Sequence, residues 1–236
     1  MRNVSLARAL SKLGVVSRSR AREMIEAGRV SVNGRRMNNP EVRVDPDREV
    51  IRVDGRIVRP AAHVYLMMHK PKGVVTTRSD ERGRKTVYDL LADREKARWI
   101  FPVGRLDRES SGLLLLTNDT RWGNRIVDPE AKIPKSYHVK LNRPISVDDL
   151  KRFSEGIHLD SGGRTRPAEV RLLRTTEKGC WIVMTLREGR NRQVRRMCEA
   201  LGYRVENLVR VRVGDLLLGD LPPGGTRRLT PKEVLR

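Results

Sequence analysis

Cysteine is scarce: Cys180 and Cys198 are the only two in 236 residues. Two thiols make no disulfide framework, and these lack zinc-ligand spacing. They read as packing residues of a protein kept in a reducing compartment. Long apolar runs are also missing. Val64–Met68 and Cys180–Met184 are short, far from the roughly 18–20 residues a membrane-crossing helix needs. The opening stretch MRNVSLARALSKLG has no apolar segment followed by a small-residue cleavage site, so a secretory signal is not indicated and a cytoplasmic protein is expected. No G-x-x-x-x-G-K-[ST], no helix-opening G-x-G-x-x-G and no H-E-x-x-H occurs. The four histidines, His63, His69, His138 and His158, are scattered without metal spacing. Neither a metal nor a nucleotide cofactor is implied.

Acidic residues are in short supply as well. Aspartate and glutamate number 29 against 50 lysines and arginines, so 50 − 29 = +21. Such a chain attracts polyanions, nucleic acid first among them. It is not a disordered basic tail. Hydrophobic residues make up 38%, enough for a core, and the 33% charged residues mix both signs.

Residues 1–60 read as a separate unit. Leu6, Ala9, Leu10 and Leu13 recur at helical spacing ahead of Gly14. A second helix is predicted from about Ser19 to Ala27, ended by Gly28. Asn33-Gly34 and Asp54-Gly55 then mark two hairpins. This stretch carries 14 basic and 7 acidic residues. Arg18, Arg20, Arg22, Arg29, Arg35 and Arg36 crowd its second helix and first hairpin, as phosphate binding requires. A solvated helix face is the plainer alternative. Residues 59–62 read as a linker. Residues 63–236 form a larger domain with strands predicted at 64–69, 112–117, 137–141, 181–186 and 205–213. Helices are predicted at 86–91, from 118 or 119 through Val127, at 147–156 and at 193–201. Antiparallel-style strands with few helices indicate an α+β fold.

Two segments carry chemistry. In Gly104-Arg105-Leu106-Asp107-Arg108-Glu109-Ser110-Ser111-Gly112-Leu113-Leu114-Leu115-Leu116-Thr117 a carboxylate sits between arginines just before a buried strand. Neighbouring arginines favour a carboxylate's ionised form, which suits an anionic nucleophile and not a general acid. A structural salt bridge fits the same pattern. In Glu188-Gly189-Arg190-Asn191-Arg192-Gln193-Val194-Arg195-Arg196-Met197 a glycine turn opens a basic helix. Alone, it reads equally as a phosphate contact or a solvated face.

Together the two segments resemble the G-R-L-D-x-x-[ST]-x-G-L-L-[LI]-[LF]-T and E-G-[RK]-x-[RH]-[QE]-[VI]-R-R-[ML] motifs of RsuA/RluB-type pseudouridine synthases. Lys70-Pro71-Lys72-Gly73 is similar to that family's K-P-x-G motif, and Lys135-Ser136-Tyr137 to its K-x-Y. Residues 5–53 resemble the αL RNA-binding module that precedes this enzyme class and occurs in a small-subunit ribosomal protein. The resemblance implies an α+β protein: an αL domain over 1–60 and a catalytic domain over 63–236, built on a mostly antiparallel mixed sheet with flanking helices. It implies isomerisation of uridine without a cofactor. Asp107 would be the essential carboxylate, as nucleophile or on a path through a glycal. Tyr137 would pack on the flipped uracil, its hydroxyl a possible base. Arg195 would pair with Asp107. Arg105 would help hold the base out of its stack. Arg108, Arg190, Arg192, Arg196, Lys70 and Lys72 would contact RNA, beside Arg18, Arg20, Arg22, Arg29 and Arg35.

The resemblance implies pseudouridine formation in ribosomal RNA by a monomeric enzyme, expected to be cytoplasmic. The segment Trp99-Ile100-Phe101-Pro102-Val103-Gly104 and the residues 188–192 resemble the branch that modifies the large subunit. The small-subunit branch is the alternative, and a non-catalytic assembly factor a further one. A pure binder has no need of Asp107, Tyr137 and Arg195 at once. A glycosidase needs two carboxylates across the bond, and Glu109, two residues along a turn, reads as a surface residue.

Overall fold

Leu6, Ala9 and Leu10 are buried along one short helix of the computed structural model, which describes residues 3–96, 98–160 and 163–235. That helix, α1 (Leu6–Lys12), packs with α2 (Arg18–Glu26). The second helix starts slightly earlier than its apolar spacing indicates, because the Ser17 side chain accepts from the Arg20 N–H at 3.0 Å and caps it. Gly14 at φ +74° and Gly28 at φ +65° lie just beyond the two helix ends. Four strands follow: β1 (Val30–Val32), β2 (Arg35–Met37), β3 (Ile51–Val53) and β4 (Arg56–Ile57). They form an antiparallel sheet in the order β2–β1–β3–β4. Both hairpin turns have positive φ at their two central residues, Asn33-Gly34 and Asp54-Gly55, the geometry that Asn-Gly and Asp-Gly favour. Leu6, Leu10, Ile25, Val30, Val32 and Ile51 fill the core of this small layer.

The chain divides into two units: the first 64 residues with 92–101 and 117–120, and the remainder. The second unit is organised by one mixed sheet. Its main strands are β5 (Tyr65–Lys70), β6 (Ser111–Thr117), β7 (Lys135–Leu141), β8 (Glu169–Thr176), β9 (Gly179–Leu186), β10 (Val205–Val213) and β11 (Thr226–Arg228). Their order is β8–β9–β7–β10–β6–β5–β11. β7 runs antiparallel to both β9 and β10, as do β8 to β9 and β11 to β5. β10 pairs parallel with β6. Four consecutive leucines, Leu113–Leu116, make β6 the most completely buried strand, at 0–1% exposure. A strand covered on both faces reads as a continuous apolar run.

Helices α3 (Thr120–Val127), α4 (Val147–Glu155) and α5 (Gln193–Glu199) supply the cover. Val139, Leu141, Ile182 and Met184 pack with Phe153 of α4 and with Val194, Met197 and Cys198 of α5. Leu113, Leu115 and Met67 pack with Trp122 and Ile126 of α3. Both cysteines are free and buried. Burial pushes the Cys198 thiol up to about 12 and the Cys180 thiol upward too, so neither is poised for thiolate chemistry.

Among the elements that differ from the sequence pattern, which include β11, two have a plain local reason. Residues 87–90 form a 3-10 turn and not an α-helix, closed by a capping box between Thr86 and Asp89. Strand β8 has no counterpart among the predicted strands. Its sequence, EVRLLRTT, does not alternate, and most of it is exposed. Pairing with β9, from Glu169 opposite Thr185 to Thr176 opposite Gly179, makes it a strand at the sheet edge. Among the described residues, no helix is long and apolar enough to cross a membrane.

Gly112 joins β6 to β10. It stands opposite Arg210 at φ +107°, and a Cβ there would overlap the Arg210 backbone oxygen and nitrogen. Gly112→Ala is therefore expected to cost about 3 kcal/mol or more through forced separation of the strands and an unfavourable φ. Urea unfolding would show it; a variant as stable as the parent would contradict this close approach.

Candidate active site

The turn that leads into β6 has little secondary structure of its own, yet its carbonyls are held one after another. The Leu106 carbonyl accepts from the buried Thr76 hydroxyl at 2.8 Å. The Asp107 carbonyl accepts from the Ser110 N–H at 3.0 Å, and that of Arg108 from the Gly73 N–H at 2.8 Å. The Glu109 carbonyl accepts from Arg195 Nη2 at 2.9 Å, and that of Ser110 from Lys70 Nζ at 2.7 Å. Five successive carbonyls thus meet donors, three of them from residues 70–76, one from Arg195 and one from within the turn. Buried backbone oxygens are costly to leave unpaired, so this network holds the backbone that carries Asp107.

Lys70 is completely buried and also donates to the Pro71 carbonyl at 2.9 Å. Burial lowers its ammonium to about 8, with Asp107 and then Glu109 acting in the opposite sense. Lys70 was expected to contact phosphate; in the structure its ammonium faces protein carbonyls and not solvent. Lys72, two residues on, is exposed and lies 3.6 Å from the exposed Glu109 carboxylate. Arg108 is exposed, and its Nε donates to the Gly73 carbonyl at 3.4 Å.

Arg195 was expected to pair with Asp107; among the described residues the two share no ion pair. Arg195 is buried, its Nη1 donating to the Val205 carbonyl at 3.0 Å and its Nη2 to that of Glu109. Its Nε is buried without a partner. Arg195 therefore acts on the Asp107 turn through backbone. Among the described residues, the Asp107 carboxylate accepts no hydrogen bond and joins no ion pair.

Two cavities meet here. One, of about 460 Å³, is lined by Asp107, Arg105, Arg108 and the 75–84 loop with Arg82 and Arg84. In that loop Arg84 Nη2 lies 2.6 Å from Asp80 and holds its carboxyl down at about 2. The other cavity, of about 200 Å³, is lined by Tyr137, Lys135, Arg190, Arg210 and again Arg105. Arg105, itself exposed, borders both. Tyr137 is half-buried and stands in register between Met184 on β9 and Arg210 on β10.

Arg210 was not among the residues singled out by motif. It is buried, and its Nε donates to the Leu113 carbonyl at 2.7 Å. Lys135 is pushed below the ordinary lysine range by burial and then by Arg210. An arginine inside an apolar, alternating strand was the signal available in the sequence. Arg82 and Arg84 carried no comparable signal, since only folding brings their loop to Asp107.

The E-G-R segment closes on itself. Arg190 Nε donates to Glu188 at 3.2 Å and its Nη2 to the Arg164 carbonyl at 3.0 Å. Gln193 accepts from the Arg190 N–H at 3.0 Å and donates to Glu188. Arg192 stays exposed at the start of α5, and Arg196 is half-buried. In the other unit Arg18 and Arg35 are exposed. Arg20 pairs with Glu23 at 2.6 Å, Arg22 with Glu41, and Arg29 with Asp54 at 2.6 Å. Arg36, which the notable crowding also includes, donates to the Gly28 carbonyl.

Comparison with known proteins decides the family. Residues 64–200 match the RNA pseudouridylate synthase model, and residues 4–50 the S4 domain model. The chain belongs to the RsuA/RluB family of RNA pseudouridine synthases. It is 40% identical over 233 residues to ribosomal large subunit pseudouridine synthase B of Bacillus subtilis (strain 168), covering 98% of this chain and 94% of that protein. It is 38% identical over 236 residues to an uncharacterized RNA pseudouridine synthase of Aquifex aeolicus (strain VF5), covering 99% and 93%. A solved structure described as a pseudouridylate synthase superposes with a TM-score of 0.72 at 29% identity, covering 98% of both chains. The synthase is thus an isomerase with an S4 RNA-binding domain ahead of an α+β catalytic domain.

Lys70 gives this site a direct check. In Lys70→Met the synthase is expected to bind RNA as tightly as before, while turnover falls at least about tenfold as the Asp107 turn loosens. Weakened binding with unchanged turnover would return Lys70 to the RNA contacts. Its pH signature follows from linkage. The native ammonium loses its proton near pH 8 and the unfolded one near its ordinary 10.5, so between these values the unfolded chain holds more protons. Over that window the parent's stability should rise with pH relative to Lys70→Met, as denaturant titrations of both would show.

Proposed function

We propose that the synthase isomerises one uridine of large-subunit ribosomal RNA, with Asp107 as its catalytic carboxylate. One observation carries the role of Asp107: among the described residues its carboxylate stands unpaired on a cavity, on a backbone held at five consecutive carbonyls, beside a cavity lined by Tyr137. Asp80, which lines the same cavity, is bound to Arg84. The reaction cleaves the bond between ribose C1′ and ring nitrogen N1, turns the base and joins C1′ to C5. The C5 proton is lost and an N1 proton gained, so no electrons are exchanged with another molecule. A carboxylate at the sugar can attack C1′, or it can assist a path through a glycal. Both need a carboxylate free to face the ribose.

Tyr137 would stack on the uracil and present its hydroxyl toward the sugar. Arg105, bordering both cavities, is placed to hold the base out of its stack, a displacement costing a few kcal/mol. Exposed Arg18, Arg35, Lys72, Arg108 and Arg192 would offset that cost through phosphate contacts. Arg195 holds the Asp107 turn by its backbone, so its role is positioning. The large-subunit target is supported by the printed name of the Bacillus subtilis relative.

The test uses ribosomal RNA transcripts of both subunits, with pseudouridine mapped by carbodiimide primer extension. The parent should create one new site, in the large-subunit RNA. Asp107→Asn should lose it by more than about a thousandfold while retaining RNA affinity, as expected where a group acts only in the chemical step. Tyr137→Phe should bind normally and turn over slowly. A site confined to small-subunit RNA would overturn the target, and activity surviving in Asp107→Asn would overturn the catalytic assignment.

A further inference from the structure

Beyond the two cavities the catalytic unit has a groove of about 840 Å³. Its floor is Val183 and Thr185 of β9, and Glu169 and Arg171 of β8 rise at the sheet edge. Lys132, Arg166 and Arg187 complete the rim. Arg171, Val183 and His138 stand in one row across β8, β9 and β7, so this is the sheet face opposite Ile182 and Met184, which lie in the core. Four cations thus surround one carboxylate, and Glu169 is itself 3.3 Å from Arg187. Among the described residues the Lys132, Arg166 and Arg171 side chains have no hydrogen bond or ion pair. Arg171, after burial, also lowers His138 below the ordinary histidine range.

The groove continues the candidate active site. Arg187 lines both it and the Tyr137 cavity, and Lys132 precedes Ile133, which lines that cavity too. An apolar and hydroxyl floor with cations at the rim suits a sugar-phosphate backbone, held without reading its bases. A second copy of the chain is disfavoured, since two β8 edges would bring Arg171 and Arg174 against their own counterparts. We propose that this groove holds the substrate strand next to the target nucleotide, with Lys132 and Arg171 on its phosphates. The proposal rests on the RNA-isomerase reading of the adjoining cavity.

The experiment compares the full-length parent with Lys132→Glu/Arg171→Glu, using a large-subunit ribosomal RNA transcript and anisotropy over a range of salt concentrations. Both side chains are exposed, so folding is expected to survive, and circular dichroism verifies it. Affinity should fall roughly tenfold, and the salt slope should shrink by about 1.5–2 units, as for two lost phosphate contacts. Lys178→Glu, in the turn between β8 and β9, should change little. Unchanged affinity and slope in the double variant would overturn the proposal, as would an equal loss in Lys178→Glu.

Arg171→Cys carrying a photo-crosslinker adds a positional readout, because both native thiols are buried. The crosslink should fall within a few nucleotides of the isomerised uridine. A crosslink to another protein chain, or to distant RNA, would overturn it. Pseudouridine formation by the parent on the same transcript separates the two readings. If the parent is active and the double variant binds normally, the groove fails alone. If the parent is inactive and the variant binds weakly, the target reading fails and the groove stands as an RNA site.

Discussion

Everything proposed for this synthase depends on a short backbone turn being held still. Residues 106–110 form neither helix nor strand along most of their length, yet each carbonyl has a donor. Two of the donors, Lys70 and Arg195, are buried cations. Inside a protein such groups strengthen the hydrogen bonds they make and penalise any that are missing. The turn therefore has one low-energy arrangement, in which the Asp107 carboxylate has no hydrogen bond or ion pair among the described residues. A reacting group held by its backbone keeps its side chain for the substrate, which is how positioning lowers a barrier.

The sheet serves that turn. β5 ends at Lys70 and leads into Gly73, β6 starts where the turn ends, and α5 presents Arg195. Gly112 lets β6 and β10 approach at the point where Arg210 meets the Tyr137 row. Core packing is thereby linked to the geometry of the two cavities. A net charge of +21 is divided between different tasks. Lys70, Arg195 and Arg210 are internal struts, while Arg20, Arg22, Arg29, Arg84 and Arg187 are among the cations tied to carboxylates.

Much of the fold was legible because its elements are locally consistent. Glycines marked the helix ends at Gly14 and Gly28, Asn-Gly and Asp-Gly marked the hairpins, and Leu113–Leu116 marked a buried strand. Strand β8 was not legible, because its arginines and exposed leucines follow no period. It is a strand only because β9 supplies its hydrogen bonds. The segments bearing the site could also be found, since Asp107 and the E-G-R stretch lie in specific motifs and Tyr137 in a weaker one. The partners within them could not. A motif shows which residue types recur at what spacing, and both Lys70 and Arg195 read from it as charges seeking an anion.

The sequence alone determined what depends on near neighbours and on totals: the polyanion-seeking charge, the small helical and hairpin unit, the buried leucine strand and the segments that carry the chemistry. Tertiary structure decided what depends on burial. It turned Lys70 and Arg195 toward backbone carbonyls, brought the 75–84 loop to Asp107 and Arg210 beside Tyr137, and raised a basic rim beside the Tyr137 cavity. The physical reason is that a charged side chain's partner is chosen by the dielectric and geometry around it, and both are set only when distant stretches of chain close over the same space.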